Sequence, residues 1–321
     1  MGLLDGKVAI VTGAGNGVGR GEAIMLADHG AKVVVNDLGG SVSGEGGDQR
    51  AADSTVEVIK ARGGEAVANY ESVSDYDGAG RLIQQAIDTY GSLDVLVNNA
   101  GILRDKMLFS MTAEDYDAVI KVHQYGTFNT MSHASQYWRA QSKAGNQPSA
   151  AIVNTVSSGG LQGQASQTNY GAAKAAIWAM TVIASLELAA YGVRANCIGP
   201  GGFTRMVGVA MKVDVKQPED YEAFDGMNPM NSAPGVVWLA SDASKPITGQ
   251  VVRCLGNNVC VYKPFEMGDQ FLAVDGDGNP AQWDPAALGD TLFKYHFKLV
   301  NPGITTQVQP KQWPIKPGRR G

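Results

Sequence analysis

An α/β fold built on a doubly wound parallel sheet is what this sequence predicts, and three observations carry that prediction. Up to about residue 260, short apolar runs alternate with amphipathic stretches. The runs are β-branched and apolar at nearly every position. The first of them leads through a glycine-rich turn into a helical pattern. Strands covered by helices on both faces must be apolar on both faces, whereas a strand with one wet face would alternate.

Seven runs read as strands: "KVAIVTG" from Lys7, "AKVVVND" from Ala31, "EAVANYESV" from Glu65, "LDVLVNNAG" from Leu93, "AAIVNTVSS" from Ala150, "VRANCIGPG" from Val193 and "GQVVRCLG" from Gly249. Between the first two, Ile24 and Leu26 suit a helix packed on a sheet. Ala52, Val56 and Ile59 then stand at helical spacing and the pattern stops at Gly63-Gly64. "SDYDGAGRLIQQAIDTYG" repeats the design. Thr112 and Asp115 form a capping-box start for a helix through Tyr116, Val119, Ile120 and Val122. After Val261 the chain turns proline- and turn-rich, with a helical pattern only over "AALGDTLFKYHFKLV". This predicts one domain over residues 1–262 and an extension, not an independent domain, over 263–321. Asp275, Asp277 and Asn279 imitate a calcium loop, but Pro280 stands where glycine is needed and Ala286 where glutamate is needed, so a turn is expected and no metal.

A chain of 321 residues that is 44% apolar can bury a large core without staples. Its three cysteines, Cys197, Cys254 and Cys260, show no C-x-x-C spacing, which predicts neither a disulfide framework nor a zinc site and fits a reduced, cytoplasmic setting. "MGLLDGKVAIVTG" lacks the regions of a signal peptide. The most apolar stretch, "AAIWAMTVIASLELAAYGV", carries Thr181, Ser185 and Glu187, so no membrane span is expected. A net charge of -5 with dispersed cations argues against nucleic acid as a partner.

"TGAGNGVG", Thr12 to Gly19, lies between the first strand and its helix. Glycines at 13, 15, 17 and 19 would let backbone amides and a helix N-terminus approach a pyrophosphate. Asp37 ends the next strand, where an acid that accepts hydrogen bonds from the adenosine ribose belongs in a dinucleotide-binding fold. A 2′-phosphate would meet like charge there, and Asn16 supplies no cation to offset it, so NAD is expected over NADP. "VNNAG", Val97 to Gly101, closes the fourth strand and reads as a turn or as part of the crevice. Tyr170 and Lys174 stand four apart on one helical face. That spacing alone is weak evidence in a chain with 11 tyrosines. Ser157, thirteen residues upstream at the carboxyl end of the fifth strand, gives the pair its context.

Through "TGAGNGVG", "NNAG", Ser157, Tyr170-x-x-x-Lys174 and "GPGGFT" the sequence resembles the short-chain dehydrogenase/reductase family over about residues 5 to 262. "VVVNDLGG", "AVANYESV", "VNNAGILRD", "VHQYGTF" and "QTNYGAAK" resemble more closely the (3R)-hydroxyacyl-CoA dehydrogenase domain of peroxisomal multifunctional enzymes and its bacterial relatives. The resemblance implies a Rossmann-type fold and hydride transfer between NAD and a secondary alcohol or ketone, most closely the 3-hydroxyl of an acyl-CoA. A hydroxysteroid or sterol side-chain acyl-CoA dehydrogenase is the alternative, and a non-catalytic NAD-sensing protein the alternative of another class. Tyr170 is implied as acid/base, Lys174 as the group that lowers its pKa and holds the nicotinamide ribose, and Ser157 as the group that orients the substrate oxygen. A cation about 4 Å from the phenol oxygen would favour phenolate by roughly three pKa units before opposing desolvation.

Implied cofactor contacts are Gly13, Gly15, Asn16, Val18, Gly19, Asp37, Ser72, Val73, Asn99, Ala100, Gly101, Tyr170, Lys174, Pro200, Gly201 and Phe203. His123 stands where the family usually has an asparagine and reads either as part of the proton relay or as a satisfied helix histidine. The long segment from Gly199 to Asn231 is expected to act as a substrate lid, with Phe203, Met206, Val207 and Met211 lining an apolar site. Arg104, Lys106, Arg205 or Lys212 could meet CoA phosphates. The apolar helix carrying Tyr170 predicts a homodimer or homotetramer.

Overall fold

The computed structural model describes residues 2–211 and 224–263, together with 265, 270, 272–282, 284, 285, 288 and 291. In chain order the elements are β1 (Val8–Thr12), α1 (Gly17–Asp28), β2 (Lys32–Asn36), α2 (Arg50–Ala61), β3 (Glu65–Asn69), α3 (Tyr76–Tyr90) and β4 (Val95–Asn98). There follow α4 (Ala113–Ile120), a π turn over Lys121–Tyr125, α5 (Gly126–Lys143), β5 (Ala150–Thr155), α6 (Ser158–Leu161), α7 (Thr168–Glu187) and β6 (Val193–Pro200). α8 (Arg205–Met211), α9 (Ala233–Ala240), β7 (Val251–Leu255) and β8 (Asn258–Val261) complete them.

One sheet runs in the order β3-β2-β1-β4-β5-β6-β7-β8. All pairings are parallel except that of β7 with β8. Successive strands move outward in one direction from β1 and in the other from β4. The helices that follow β1 and β4 therefore leave on opposite faces and open a crevice at the carboxyl ends of these strands. The core divides accordingly. Val11, Val97 and Val153 pack with α1 and α9 on one face, while Ile10, Leu96 and Ile152 pack with Leu82 of α3 and Trp138 of α5 on the other.

Local chemistry sets the helix ends. Asp75 accepts the Gly78 amide to start α3, and Gly91, at φ 86°, ends it in the left-handed region where glycine is favoured. Thr112 and Asp115 cap each other reciprocally at the start of α4. The single helix expected there is broken by the π turn. Val119 is buried as expected, but Tyr116 is exposed, because the inward face of α4 is only Asp115 and Val119. The sheet has eight strands rather than seven. β8 returns from β7 through the two-residue turn Gly256-Asn257, with Gly256 at φ 53°, and it lies at the sheet edge with Val259 and Val261 exposed.

The chain forms two compact units, Met1–Tyr262 and Lys263–Gly321. In the second, Val274 bridges Pro280 and the Asp275 carboxylate accepts the amides of Asp277 and Asn279 at 2.9 Å each, which makes the calcium-like stretch a self-closed turn. The helical pattern from Ala286 lies largely outside the described residues. Among the described residues no helix is long and apolar enough to cross a membrane.

Candidate active site

The turn between β1 and α1 is braced from beneath by two residues. The Thr12 hydroxyl accepts the amides of Asn99 at 3.0 Å and Ala100 at 3.1 Å. The Asn99 side chain donates to the carbonyls of Thr12 and Gly13, both at 3.0 Å. A Cβ on Gly19 would stand 2.3 Å from Asn99 Nδ2 and 2.4 Å from the Gly13 carbonyl, so only glycine lets the helix start so close to the strand end. No acidic residue occupies the first turn of α1, which leaves its positive end available to a pyrophosphate.

Asp37 follows β2. Its two oxygens accept the amide of Gly15 at 2.8 Å and that of Gly39 at 2.6 Å. Each oxygen keeps acceptor capacity for a ribose hydroxyl. The fixed carboxylate, the glycine cradle and the helix end together fit a dinucleotide.

A cleft of about 620 Å³ runs from this cradle across the ends of the central strands. Gly13, Asn16, Val18, Asp37, Ser72, Val73, Asn99, Ala100, Gly101, His123, Ser157, Tyr170, Lys174, Pro200 and Gly201 all line it. Gly15 and Gly19 do not; they act behind the wall, one holding Asp37 and the other admitting the helix. Phe203 is also absent from the wall, its amide donating to the Met227 carbonyl. Of the expected lid residues, Met206 and Val207 line the cleft, whereas the side chain of Met211 and all of Lys212 lie outside the described residues.

Two contributions were not expected from the sequence. Thr12, the brace, carries no signal beyond its place before the glycines. Residues 38–47 form a strap along the cleft, with Leu38, Ser41 and Val42 in its wall. The strap is tied down where the Leu103 amide donates to the Val42 carbonyl at 2.9 Å and Arg104 Nε to the Ser43 carbonyl at 3.0 Å. A polar, glycine-rich stretch longer than its turn requires was the available sign.

At the other end of the cleft α7 presents Tyr170 and Lys174. Asn169 fixes the register of this turn: it is buried, donates to the carbonyls of Arg104 and Asp115, and accepts the Tyr170 amide at 2.7 Å. Lys174 Nζ donates to the Thr155 carbonyl at 2.7 Å and lies 5.6 Å from the centroid of the Tyr170 ring. Ser157 caps α6 by accepting the Gly159 amide at 3.2 Å, and it lines the same cleft as Tyr170. Burial pushes the Tyr170 phenol up; the Ser157 hydroxyl pulls against this, and Asp105 pushes it further up. Burial also pushes Lys174 down, to about 7. Desolvation therefore outweighs the help that the sequence led one to expect from the lysine.

His123 is held in the π turn with Nε2 at 2.8 Å from the Ile102 carbonyl oxygen and 3.0 Å from its amide nitrogen, the tautomer deciding which bond is made. Nδ1 is buried with no hydrogen-bond partner. The ring meets Tyr170 edge-on at 5.2 Å, and burial pushes its pKa down to about 3, so it is neutral. A Cβ on Gly101 would stand 2.2 Å from His123 Cε1, which reserves that position for glycine. His123 is thus neither fully satisfied nor bonded to Lys174.

A family profile described as short chain dehydrogenase matches residues 7–217. Hydroxyacyl-CoA dehydrogenase ChsB1 of Mycobacterium tuberculosis is 40% identical over 91% of this chain and 89% of its own length. The peroxisomal multifunctional enzyme type 2 of Drosophila melanogaster is 41% identical over 74% of this chain but only 37% of its own length, so the likeness concerns one part of that protein. The crystal structure of a short chain dehydrogenase from Mycobacterium avium superposes with a TM-score of 0.80 at 45% identity, covering 94% of this chain and 98% of that one. With this agreement in sequence and fold, the chain belongs to the short chain dehydrogenase family, in which it is an NAD-dependent oxidoreductase.

Proposed function

We propose that the enzyme interconverts a 3-hydroxyacyl-CoA and the corresponding 3-oxoacyl-CoA, with Tyr170 as acid/base. The observation that carries the chemistry is the convergence of Ser157, Tyr170 and Lys174 in the wall of the cleft that Asp37 also lines, with Lys174 Nζ 5.6 Å from the centroid of the Tyr170 ring. NAD supplies the hydride acceptor when bound. In oxidation the Tyr170 phenolate takes the proton of the substrate hydroxyl and Ser157 donates to the substrate oxygen. Lys174, as ammonium, stabilises the phenolate. Reduction reverses each transfer.

The substrate class rests on the relative named as a hydroxyacyl-CoA dehydrogenase. Among the cations considered for CoA phosphates, Lys106 is engaged by Asp115 at 2.6 Å and Arg104 Nε by the strap. Arg205, exposed and in the cleft wall at the start of α8, is the better candidate. Met206 and Val207 support a lid role for the segment after β6. The same reading places the enzyme in the cytoplasm, where an exposed thiol such as Cys260 stays reduced.

A panel of (3R)- and (3S)-hydroxyacyl-CoAs and hydroxysteroids, each with NAD or NADP, tests this by the absorbance of reduced nicotinamide. Turnover of a hydroxyacyl-CoA with NAD is expected; activity confined to hydroxysteroids would overturn the substrate assignment. Tyr170→Phe should abolish turnover and leave NADH binding largely intact. A cellular function indifferent to that change would favour a sensor instead.

A further inference from the structure

The chain leaving β5 wraps around Lys174. The Thr155 carbonyl accepts its Nζ at 2.7 Å, and Gly160 of α6 lies against the root of the same side chain. A Cβ on Gly160 would stand 2.6 Å from Lys174 Cβ, 2.8 Å from the Ala175 nitrogen and 2.9 Å from the Lys174 carbonyl carbon. These atoms belong to the α7 backbone or stand next to it, and none is the free end of a flexible group. The contact repeats from the other side, where a Cβ on Gly171 would stand 2.9 Å from the Gly159 carbonyl oxygen. α6 and α7 thus meet backbone to backbone.

Ser157 stands between the two attachments to Lys174. It is extended, at φ -151° and ψ 151°, and α6 begins directly after it. The Gly160 and Leu161 amides donate to the Ser157 carbonyl at 3.0 and 3.1 Å, and the Gly159 amide donates to its hydroxyl at 3.2 Å. The placement of Ser157 therefore follows that of α6. A Cβ on Gly159 would lie 3.7 Å from Ser157 Oγ and 3.6 Å from Tyr170 Cδ1, so both side chains border the same turn.

Helix propensity alone would favour alanine over glycine within α6, so close approach is what glycine provides. Carbon atoms pack at about 3.5–4.0 Å, and a methyl group on Gly160 would demand a shift of about 1 Å. α6 yields to that demand before α7 does. α7 runs 20 residues and is pinned by Lys174 to Thr155, by Thr181 to the Asn154 amide at 2.8 Å and by Asn169 to the carbonyls of Arg104 and Asp115. α6 is four residues long and meets the core through Leu161.

We propose that Gly160 is a positioning residue acting through Ser157: the absence of a side chain there seats α6 on α7 at the distance that brings the Ser157 hydroxyl to the substrate oxygen beside Tyr170. The inference rests on the roles assigned to Ser157 and Tyr170, since the seating matters to the rate only where Ser157 takes part in the reaction.

A double-mutant cycle of Gly160→Ala and Ser157→Ala tests it, with kcat measured on an alcohol that the substrate panel shows to be turned over. Misplacing a reacting group by about 1 Å should lower kcat by about 10–100-fold. KM for NAD should hold within about twofold, because the Asp37 end of the cleft is untouched. In the Ser157→Ala background the same change should cost less than about twofold, since the group it displaces is gone. Equal losses in both backgrounds, or no loss in wild type, overturn the proposal. The ultraviolet phenolate titration of Tyr170, taken as the difference from Tyr170→Phe, gives a reading free of substrate. Against burial, which raises the Tyr170 pKa, the Ser157 hydroxyl draws it down. Gly160→Ala should therefore raise the titration midpoint about as much as Ser157→Ala does, and a midpoint left in place refutes the displacement. Should Gly160→Ala fail to fold, Gly171→Ala, which presses on the Gly159 carbonyl from α7, takes its place in the same cycle and titration. Failure of every hydroxyacyl-CoA would reject the proposed substrate alone, since the cycle runs on any alcohol that is turned over and the titration needs none.

Discussion

At His123 the structure places a neutral ring with an unpartnered Nδ1 against the edge of Tyr170. Its pKa is depressed from 6.5 to about 3, first by burial and then by Lys174. The unfolded chain therefore binds a proton at this residue between about pH 6.5 and 3 while the native protein does not, and stability must fall as pH falls through that window. The slope from this residue approaches about 1.4 kcal/mol per pH unit. Denaturant titrations of wild type and His123→Asn at several pH values should show the variant losing stability less steeply below pH 6.5. Asp37 makes a second residue-level prediction. Asp37→Asn keeps the shape that receives the Gly15 and Gly39 amides and removes the charge that opposes a 2′-phosphate. The ratio of kcat/KM for NAD over NADP should drop roughly tenfold or more.

The α4 capping box is the element most easily tested. Thr112→Ala removes the acceptor of the Asp115 amide and should cost about 1 kcal/mol, read as a lower denaturation midpoint at an unchanged m-value. This box was legible because it is local: two side chains three residues apart. The parallel strands were legible for a related reason, since burial on both faces leaves continuous apolar runs. The π turn was not. Its wider i→i+5 turn has no residue signature in this stretch, so only the backbone shows that His123 is turned toward Ile102 and Tyr170. β8 was missed because "NVCV" is four residues long and follows a two-residue turn, too short to separate from the strand before it. Within the cleft, motif spacing brought together Ser157, Tyr170, Lys174, Asp37 and most of the glycine cradle. It could not reveal Thr12, Asn169 or the strap, whose work depends on hydrogen bonds across long sequence separations.

For the molecule as a whole, unpaired apolar surface raises the question of assembly. Phe128 on α5 and Ile183 and Leu186 on α7 are exposed, on helices of the layer that carries the catalytic candidates. Covering such groups is a common reason for association. We expect a homo-oligomer, with sedimentation at micromolar concentration showing a dimer or tetramer; a monomer under those conditions would contradict it.

The strap described above has a kinetic consequence. It borders the Asp37 end of the cleft yet is fastened to residues 103 and 104 on the way to Tyr170, so opening one end disturbs the other. A nucleotide seated beneath it should enter first and leave last, and its escape should govern steady-state turnover. Pre-steady-state oxidation should then show a burst of reduced nicotinamide. Arg104→Met, which removes one fastening, should hasten NADH dissociation in stopped flow by about tenfold.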